Sequence, residues 1–105
     1  MKEIIANLDK VLDSRIRLAV MSILVVNDAV DFNTLKEMLD VTDGNLASHM
    51  NMLEKNKYIT VSKRFIGKKP STRFSATATG KSAFAEHIEA LEKLIKQSAK
   101  YSHKD

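Results

Sequence analysis

Apolar residues recur along this chain at two periods, and the change from one to the other falls near Lys57. Before that point the spacing is helical. Ile4, Ile5, Leu8, Val11 and Leu12 predict a short amphipathic helix over residues 2–12. Asp13 or Ser14 can cap a second helix running to about Val26, with Ile16, Val20, Ile23 and Leu24 on one stripe and Leu18, Met21 and Val25 on another. A helix apolar on two sides is buried on two sides, here under the terminal helices or against a second subunit. Asn27 to Asp31 reads as a turn, after which Phe32, Leu35, Met38 and Leu39 predict the buried stripe of a third helix.

A tight connection, Asp40 to Thr42, leads to a fourth helix ending at Lys55. The Thr42 hydroxyl is placed to accept from a first-turn N–H, Asp43 puts negative charge at the positive end of the helix dipole, and Val41 with Leu46 makes a hydrophobic staple. Leu46, Met50 and Leu53 predict the core face, leaving Gly44, Asn45, Ser48, Asn51 and Met52 outward. That outward face is uncharged and rich in amides and hydroxyls, whereas a merely solvated face carries Lys and Glu. Two short helices joined by about three residues, the second one capped, have helix-turn-helix geometry.

From Lys57 to Phe65 the period becomes two, with Ile59, Val61 and Phe65 alternating with Thr60, Ser62 and Arg64, as in a half-buried strand. Gly67 to Ser71 breaks the pattern and Thr72 to Ala76 restores it, which predicts a β-hairpin with Lys68 and Lys69 at its tip and Arg73 on the returning strand. Thr77 or Thr79 caps a last helix to about Lys100. Its residues Phe84, Ile88, Leu91, Ile95 and Ser98 form a seam at alternating spacings of four and three, with Leu94 on the flank. Such a seam is expected to pack on a partner, and residues 101–105 are expected to fray.

Charge sharpens this picture once it is located. The net charge is +4, yet Lys55 to Ala85 holds eight basic residues and no acidic one, so the rest of the chain carries −4. Segregation of this kind is the electrostatic footprint of a polyanion binder, with nucleic acid preferred over an anionic membrane surface. The absence of Cys excludes disulfides, zinc-thiolate sites and thiol catalysis. No apolar run approaches the roughly 20 residues of a membrane span and the N-terminus lacks a secretion signal; one cytoplasmic domain over residues 1–105 is expected. His49, His87 and His103 lie on separate segments without metal-ligand spacing. His49 sits at the border of the apolar stripe, where a structural role and a base contact are both open, and His87 is expected on the dimer surface. No phosphate loop, carboxylate pair or Ser/His/Asp arrangement stands out, so no enzymatic activity, metal or cofactor is expected.

The order Ser14-Arg15-Ile16-Arg17-Leu18, Asp31-Phe32 leading Leu35, Thr42-Asp43-Gly44-Asn45-Leu46, Ser48-His49, Leu53-Glu54, Tyr58-Ile59, the segment Gly67 to Thr72, and Thr77 with Gly80 resembles the small winged-helix transcriptional regulators related to the MarR and ArsR groups. The likeness covers roughly residues 5 to 95. It implies an α+β, mostly α, winged helix-turn-helix with a two-stranded wing. It further implies a homodimer paired through N- and C-terminal helices (1–12 and 78–100), a recognition helix in the major groove and a wing on the backbone. The chain departs from that pattern at Asn56-Lys57-Tyr58, where the family commonly has Gly before the aromatic, so a left-handed turn there falls on Asn56 or Lys57. Ala76 and Ala78 stand where Leu and Pro are usual, and the Cys and clustered His ligands of metal-sensing members are missing.

The expected function is therefore sequence-specific binding of double-stranded DNA by a homodimeric transcriptional regulator, repressing by promoter occlusion. Asn45, Ser48 and Asn51 are the expected base readers, with Met52 against a thymine methyl and His49 at the margin. Backbone contacts are expected from Thr34, Lys36, Lys55, Lys63, Arg64, Lys68, Lys69 and Arg73, and the dimer interface from Ile4, Ile5, Leu8, Phe84, Ile88, Leu91, Leu94 and Ile95. An unidentified small apolar effector in that interface is left open, and no residue places it. The alternative from another class is a protein-interaction module whose basic hairpin binds an acidic partner.

Overall fold

In the computed structural model, residues 1–99 are described; the predicted tail 101–105, with His103, and the predicted helix end at Lys100 lie outside them. The elements follow in the order α1 (Lys2–Ala6), α2 (Arg15–Leu24), β1 (Val30–Asp31), α3 (Phe32–Leu39), α4 (Asp43–Lys55), β2 (Ile59–Ile66), β3 (Lys69–Ala76) and α5 (Ala78–Ala99). Each central helix starts on a side-chain cap. The Ser14 hydroxyl accepts from Arg17 N–H, the Asp31 carboxylate from Thr34 N–H at 2.7 Å and the Thr42 hydroxyl from Asn45 N–H. These caps satisfy donors that the helices leave without partners. α3 stops because Asp40 turns left-handed at φ 51°, a conformation that Asp tolerates better than most residues.

The sheet has the strand order β1-β3-β2, antiparallel throughout. In the long pair, Ile59 faces Ala76 and the ladder runs to Ile66 opposite Lys69. The core lies between the helices and the base of this sheet: Leu12, Val20, Met21, Leu24, Leu35, Leu46, Met50, Leu53, Ile59 and Phe74 are all buried. Ile16, Leu18, Ile23 and Val25 pack partly against it, so α2 is covered on both of its predicted stripes. Phe32 and Phe74 meet as a tilted pair with centroids 6.4 Å apart, tying α3 to β3.

Four elements converge on residues 57 and 58. Lys57 takes the left-handed conformation, φ 64°, that turns the chain from α4 into β2, at the position where the sequence lacks the family's glycine. Tyr58 then accepts Thr77 N–H on its carbonyl at 3.0 Å and donates its phenol hydrogen to the Asp9 carboxylate. Asp9 in turn accepts Val11 N–H at 2.8 Å and donates its own N–H to Nδ1 of His87 on α5 at 3.0 Å. The first turn of α5 lies so close to this junction that a Cβ at Gly80 would sit 2.1 Å from the Tyr58 carbonyl oxygen.

Several expectations are corrected. The first helix ends at Ala6 rather than running to residue 12, because Asp9 holds the chain in turns that deliver Leu12 to the core. His87 is buried, at 5% exposure, as the acceptor for Asp9, and is not a dimer-surface residue. α5 packs on its own chain along Gly80, His87 and Ala90, a line beside the predicted seam, whose Ile95 stays 69% exposed. Met38 is 60% exposed, because α3 buries only the Leu35 side and half-buries Phe32 and Leu39. A two-residue strand, β1, lies inside the predicted turn and makes the sheet three-stranded. The hairpin break shrinks to Gly67-Lys68, with Lys69, Pro70 and Ser71 inside β3. Pro70 is tolerated there because the pairing with β1 stops at Asp31 opposite Arg73 and leaves that side of β3 unpaired beyond it.

The two glycines on helices should respond oppositely to a methyl group. Gly80→Ala is expected to cost about 3 kcal/mol, since the clash is with backbone. Gly44→Ala, which meets nothing within 4 Å, should gain up to about 0.5 kcal/mol; urea denaturation of both variants checks the contrast. Burial and the Asp9 carboxylate push the Tyr58 hydroxyl up to about 12. The folded state thus retains the phenol proton, and this contribution is present below pH about 10 and lost as pH rises through about 12. Tyr58→Phe should lose about 1.5 kcal/mol at neutral pH, and its deficit relative to the parent should narrow across that alkaline window in urea titrations.

Candidate nucleic-acid interface

α4 is anchored from behind by Leu46, Met50 and Leu53, all buried. The opposite face then has no freedom of rotation, and Asn45, Ser48, Asn51 and Met52 are all turned away from the core on it. At its start, Lys36 of α3 bonds Asp43 across the helix-turn-helix at 2.8 Å. At its end, the Asn56 amide donates to the Met52 carbonyl at 2.8 Å and reaches the Met52 sulfur at 3.6 Å.

His49 lies beside this face. Its Nδ1 is 2.9 Å from Nη1 of Arg17, whose Nε donates to the Val11 carbonyl at 2.6 Å. Arg17 has no lone pair to offer, so His49 must accept through Nδ1 and carry its proton on Nε2. Burial first, and the Arg17 charge second, hold the imidazole below its ordinary range. His49 therefore ties α4 to α2 and the N-terminal turn, with one N–H left for anything outside.

Strand alternation and register sort the wing residues onto two faces. Lys63 and Phe65 share the face of Ile59, Val61 and Phe74, whereas Arg64 and Arg73 share the other with Ser62 and Ser71. Lys63 accordingly lines a groove of about 340 Å³ between wing and recognition helix, together with Asn51, Glu54 and Thr72. Lys55, Lys63, Arg64, Lys68 and Lys69 are exposed. Gly67 at φ 64° followed by Lys68 makes the two-residue loop, with Gly where the first central residue must turn left-handed.

Three predicted backbone contacts are engaged within the chain. Thr34 donates its N–H to Asp31, and its hydroxyl first and this N–H second hold that carboxyl below its usual range. Lys36 is paired with Asp43. Arg73, half-buried, stands beside Asp31 and donates to the Ala29 carbonyl at 3.4 Å, which clasps β1 to the sheet. Of the predicted dimer residues, Ile5 and Ile95 are exposed; Ile4, Leu8, Leu91 and Leu94 are half-buried, and Phe84 packs on the core of its own chain. Ile88 is half-buried too. Sequence reasoning missed the tip: Phe65 is 72% and Ile66 60% exposed. Alternation assigned Phe65 inward, and only the length of the hairpin beyond the core distinguishes the two cases.

Among the described residues no cluster of His, Asp and Glu is placed to hold a metal, and no helix is long and apolar enough to cross a membrane. Residues 16–95 match the winged helix DNA-binding domain family. The chain is 32% identical over 87 residues to an uncharacterized protein of Methanocaldococcus jannaschii, covering 83% of this chain and 95% of that one. Its fold is similar to that of a transcriptional regulator homologue from Pyrococcus horikoshii OT3, with a TM-score of 0.80, 29% identity and coverage of 91% and 93% of the two chains. A MarR-family transcriptional regulator from Silicibacter pomeroyi shares the fold at a TM-score of 0.64 and 16% identity, covering 100% of this chain and 71% of that one. With the capped recognition helix, the three-residue turn and the basic hairpin all in place, the chain belongs to the winged helix DNA-binding domain family as a small winged-helix regulator.

Proposed function

We propose that this protein is a homodimeric, sequence-specific binder of double-stranded DNA that acts in the cytoplasm and represses transcription by occluding promoters. One observation carries the reading: an outward helix face bearing amides and a hydroxyl, Asn45, Ser48 and Asn51, stands beside a groove, lined by Asn51, Glu54 and Lys63, that separates it from a hairpin within a thirty-one-residue stretch devoid of acid. Amides read adenine bidentately and hydroxyls adapt to either partner, so Asn45, Ser48 and Asn51 read bases in the major groove, with Met52 against a thymine methyl. His49 contributes at most its Nε2–H. Lys55, Lys63, Arg64, Lys68 and Lys69 hold phosphates. Thr34, Lys36 and Arg73 contribute there only by leaving their present partners.

The dimer forms along α1, the turn that follows it and α5, where Ile5 and Ile95 lack cover and Ile4, Leu8, Ile88, Leu91 and Leu94 are half covered. A random 30-base-pair duplex titrated at several salt concentrations, with the molar mass followed by light scattering, tests the reading. Steeply salt-dependent binding by a species of twice the chain mass is expected. Absence of binding at low salt would instead favour an acidic protein as the partner of the hairpin.

Replacing Lys68 and Lys69 together by Ala should weaken binding to every duplex and lower the slope of log affinity against log salt by about four, two contacts from each protomer of the dimer. An unaltered slope would take the wing tip off the backbone. Asn45→Ala or Asn51→Ala should leave that slope in place. Either change should shrink the preference for a selected operator over random duplex by about tenfold, and equal losses on the two duplexes would contradict base reading.

A further inference from the structure

The end of the wing carries two large apolar side chains that no portion of the described chain covers. Phe65 is 72% and Ile66 60% exposed, at adjacent positions and on opposite faces of β2. Exposed apolar residues on a hairpin with an open edge invite association between chains, so their retention at this point requires a reason. Folding supplies none: Ile59 and Val61 enter or touch the core, and the hairpin has left it by Phe65.

The surroundings indicate what the tip meets. Arg64, Lys68 and Lys69 flank the two residues, all three are exposed, and neither of the ion pairs among the described residues involves them. The tip is also stiff, because Gly67-Lys68 is a two-residue loop closed by the Ile66–Lys69 pair, and Phe65 stands opposite Pro70. A stiff apolar edge loses little entropy on being buried. Phe65 lies on the same sheet face as Lys63, which shares a groove with Asn51 of α4, so a duplex lying along α4 extends towards the Phe65 side of the wing.

We propose that the wing tip is an apolar wedge. Phe65 enters the minor groove, unstacks neighbouring base pairs at a single step and bends the duplex toward its major groove, while Ile66 on the opposite face covers the groove wall and Arg64, Lys68 and Lys69 hold the flanking phosphates. This rests on the DNA reading above. Minor-groove proteins that insert apolar side chains unstack one step and kink DNA in this way, most easily at flexible pyrimidine–purine steps. The wedge would thus add a preference for deformable sequence at positions that α4 does not touch.

The test uses the full chain, a mixed-sequence 30-base-pair duplex with dyes at its two ends, and the same duplex carrying 2-aminopurine in place of adenine. Phe65→Ala and Ile66→Ala should keep the thermal midpoint of the parent, since neither side chain packs in the core. Phe65→Ala is expected to weaken binding about tenfold while the salt slope stays unchanged, because no cation is lost. The parent should shorten the end-to-end distance and brighten 2-aminopurine, and the variant should do neither.

Phe65→Lys separates the wedge from a purely electrostatic wing: a wedge loses affinity on this change, whereas a charged strap gains it. Parental affinity and bending in Phe65→Ala, or tighter binding by Phe65→Lys, would overturn the wedge and leave the DNA reading intact. Unchanged DNA binding with loss of self-association, or of adhesion to anionic lipid vesicles, would assign the tip to those surfaces instead. A parent chain that ignores duplex at low salt would remove both readings together.

Discussion

The relation between recognition helix and wing is set at Tyr58. Lys57, in a left-handed turn, ends α4 and aims the chain into β2, and the next residue is fixed at both ends. Its carbonyl takes the Thr77 N–H at the start of α5, and its hydroxyl reaches the Asp9 carboxylate. Gly80 is the form of this constraint that sequence can express: no side chain fits against the Tyr58 backbone. Since β2 and β3 pair along their whole length, fixing the base of the hairpin fixes its direction, and the tip is carried to wherever the junction points.

α4 is positioned from three sides by interactions of different kinds. Leu46, Met50 and Leu53 set its rotation by burial, Lys36–Asp43 ties its first turn to α3, and Arg17–His49 ties its middle to α2 and the N-terminal turn. The exposed ion pair is worth a fraction of a kcal/mol. The dominant contribution comes from the three apolar residues, each worth roughly 1.5–3 kcal/mol when buried. The Arg17 contact adds direction rather than strength, since it requires one tautomer of His49 and so determines which of its nitrogens can face outward.

Where one physical rule acted alone, the sequence was sufficient. The cap at Thr42, the buried Leu46–Met50–Leu53 stripe and the outward amides follow from local capping chemistry and periodicity, the left-handed residue at Asn56 or Lys57 from the family resemblance, and all are present. The misses arise where a distant partner decides. Helical spacing over residues 2–12 was overridden by Asp9, whose bonds to Tyr58 and His87 join positions far apart in the chain. β1 is only two residues long and exists because β3 offers it an edge. Phe65 alternated correctly with its strand, yet period reports a face and not whether anything stands opposite it. Likewise Thr34, Lys36 and Arg73 were legible as polar or basic, but their engagement with Asp31, Asp43 and Ala29 was not.

These internal commitments alter the electrostatic account of the chain. With Lys36 paired and Arg73 beside Asp31, the positive charge that makes no ion pair among the described residues is concentrated on Lys55, Lys63, Arg64, Lys68 and Lys69, at the end of α4 and along the outer half of the hairpin. Like charges held together on a rigid ladder repel, and their repulsion weakens the free fold slightly at physiological salt, where screening acts over about 8 Å. A two-residue loop and continuous pairing keep them from spreading apart. That repulsion is one a polyanion would relieve, and under the proposed reading a phosphate backbone, with one negative charge about every 1.7 Å of duplex axis, supplies the opposite charge.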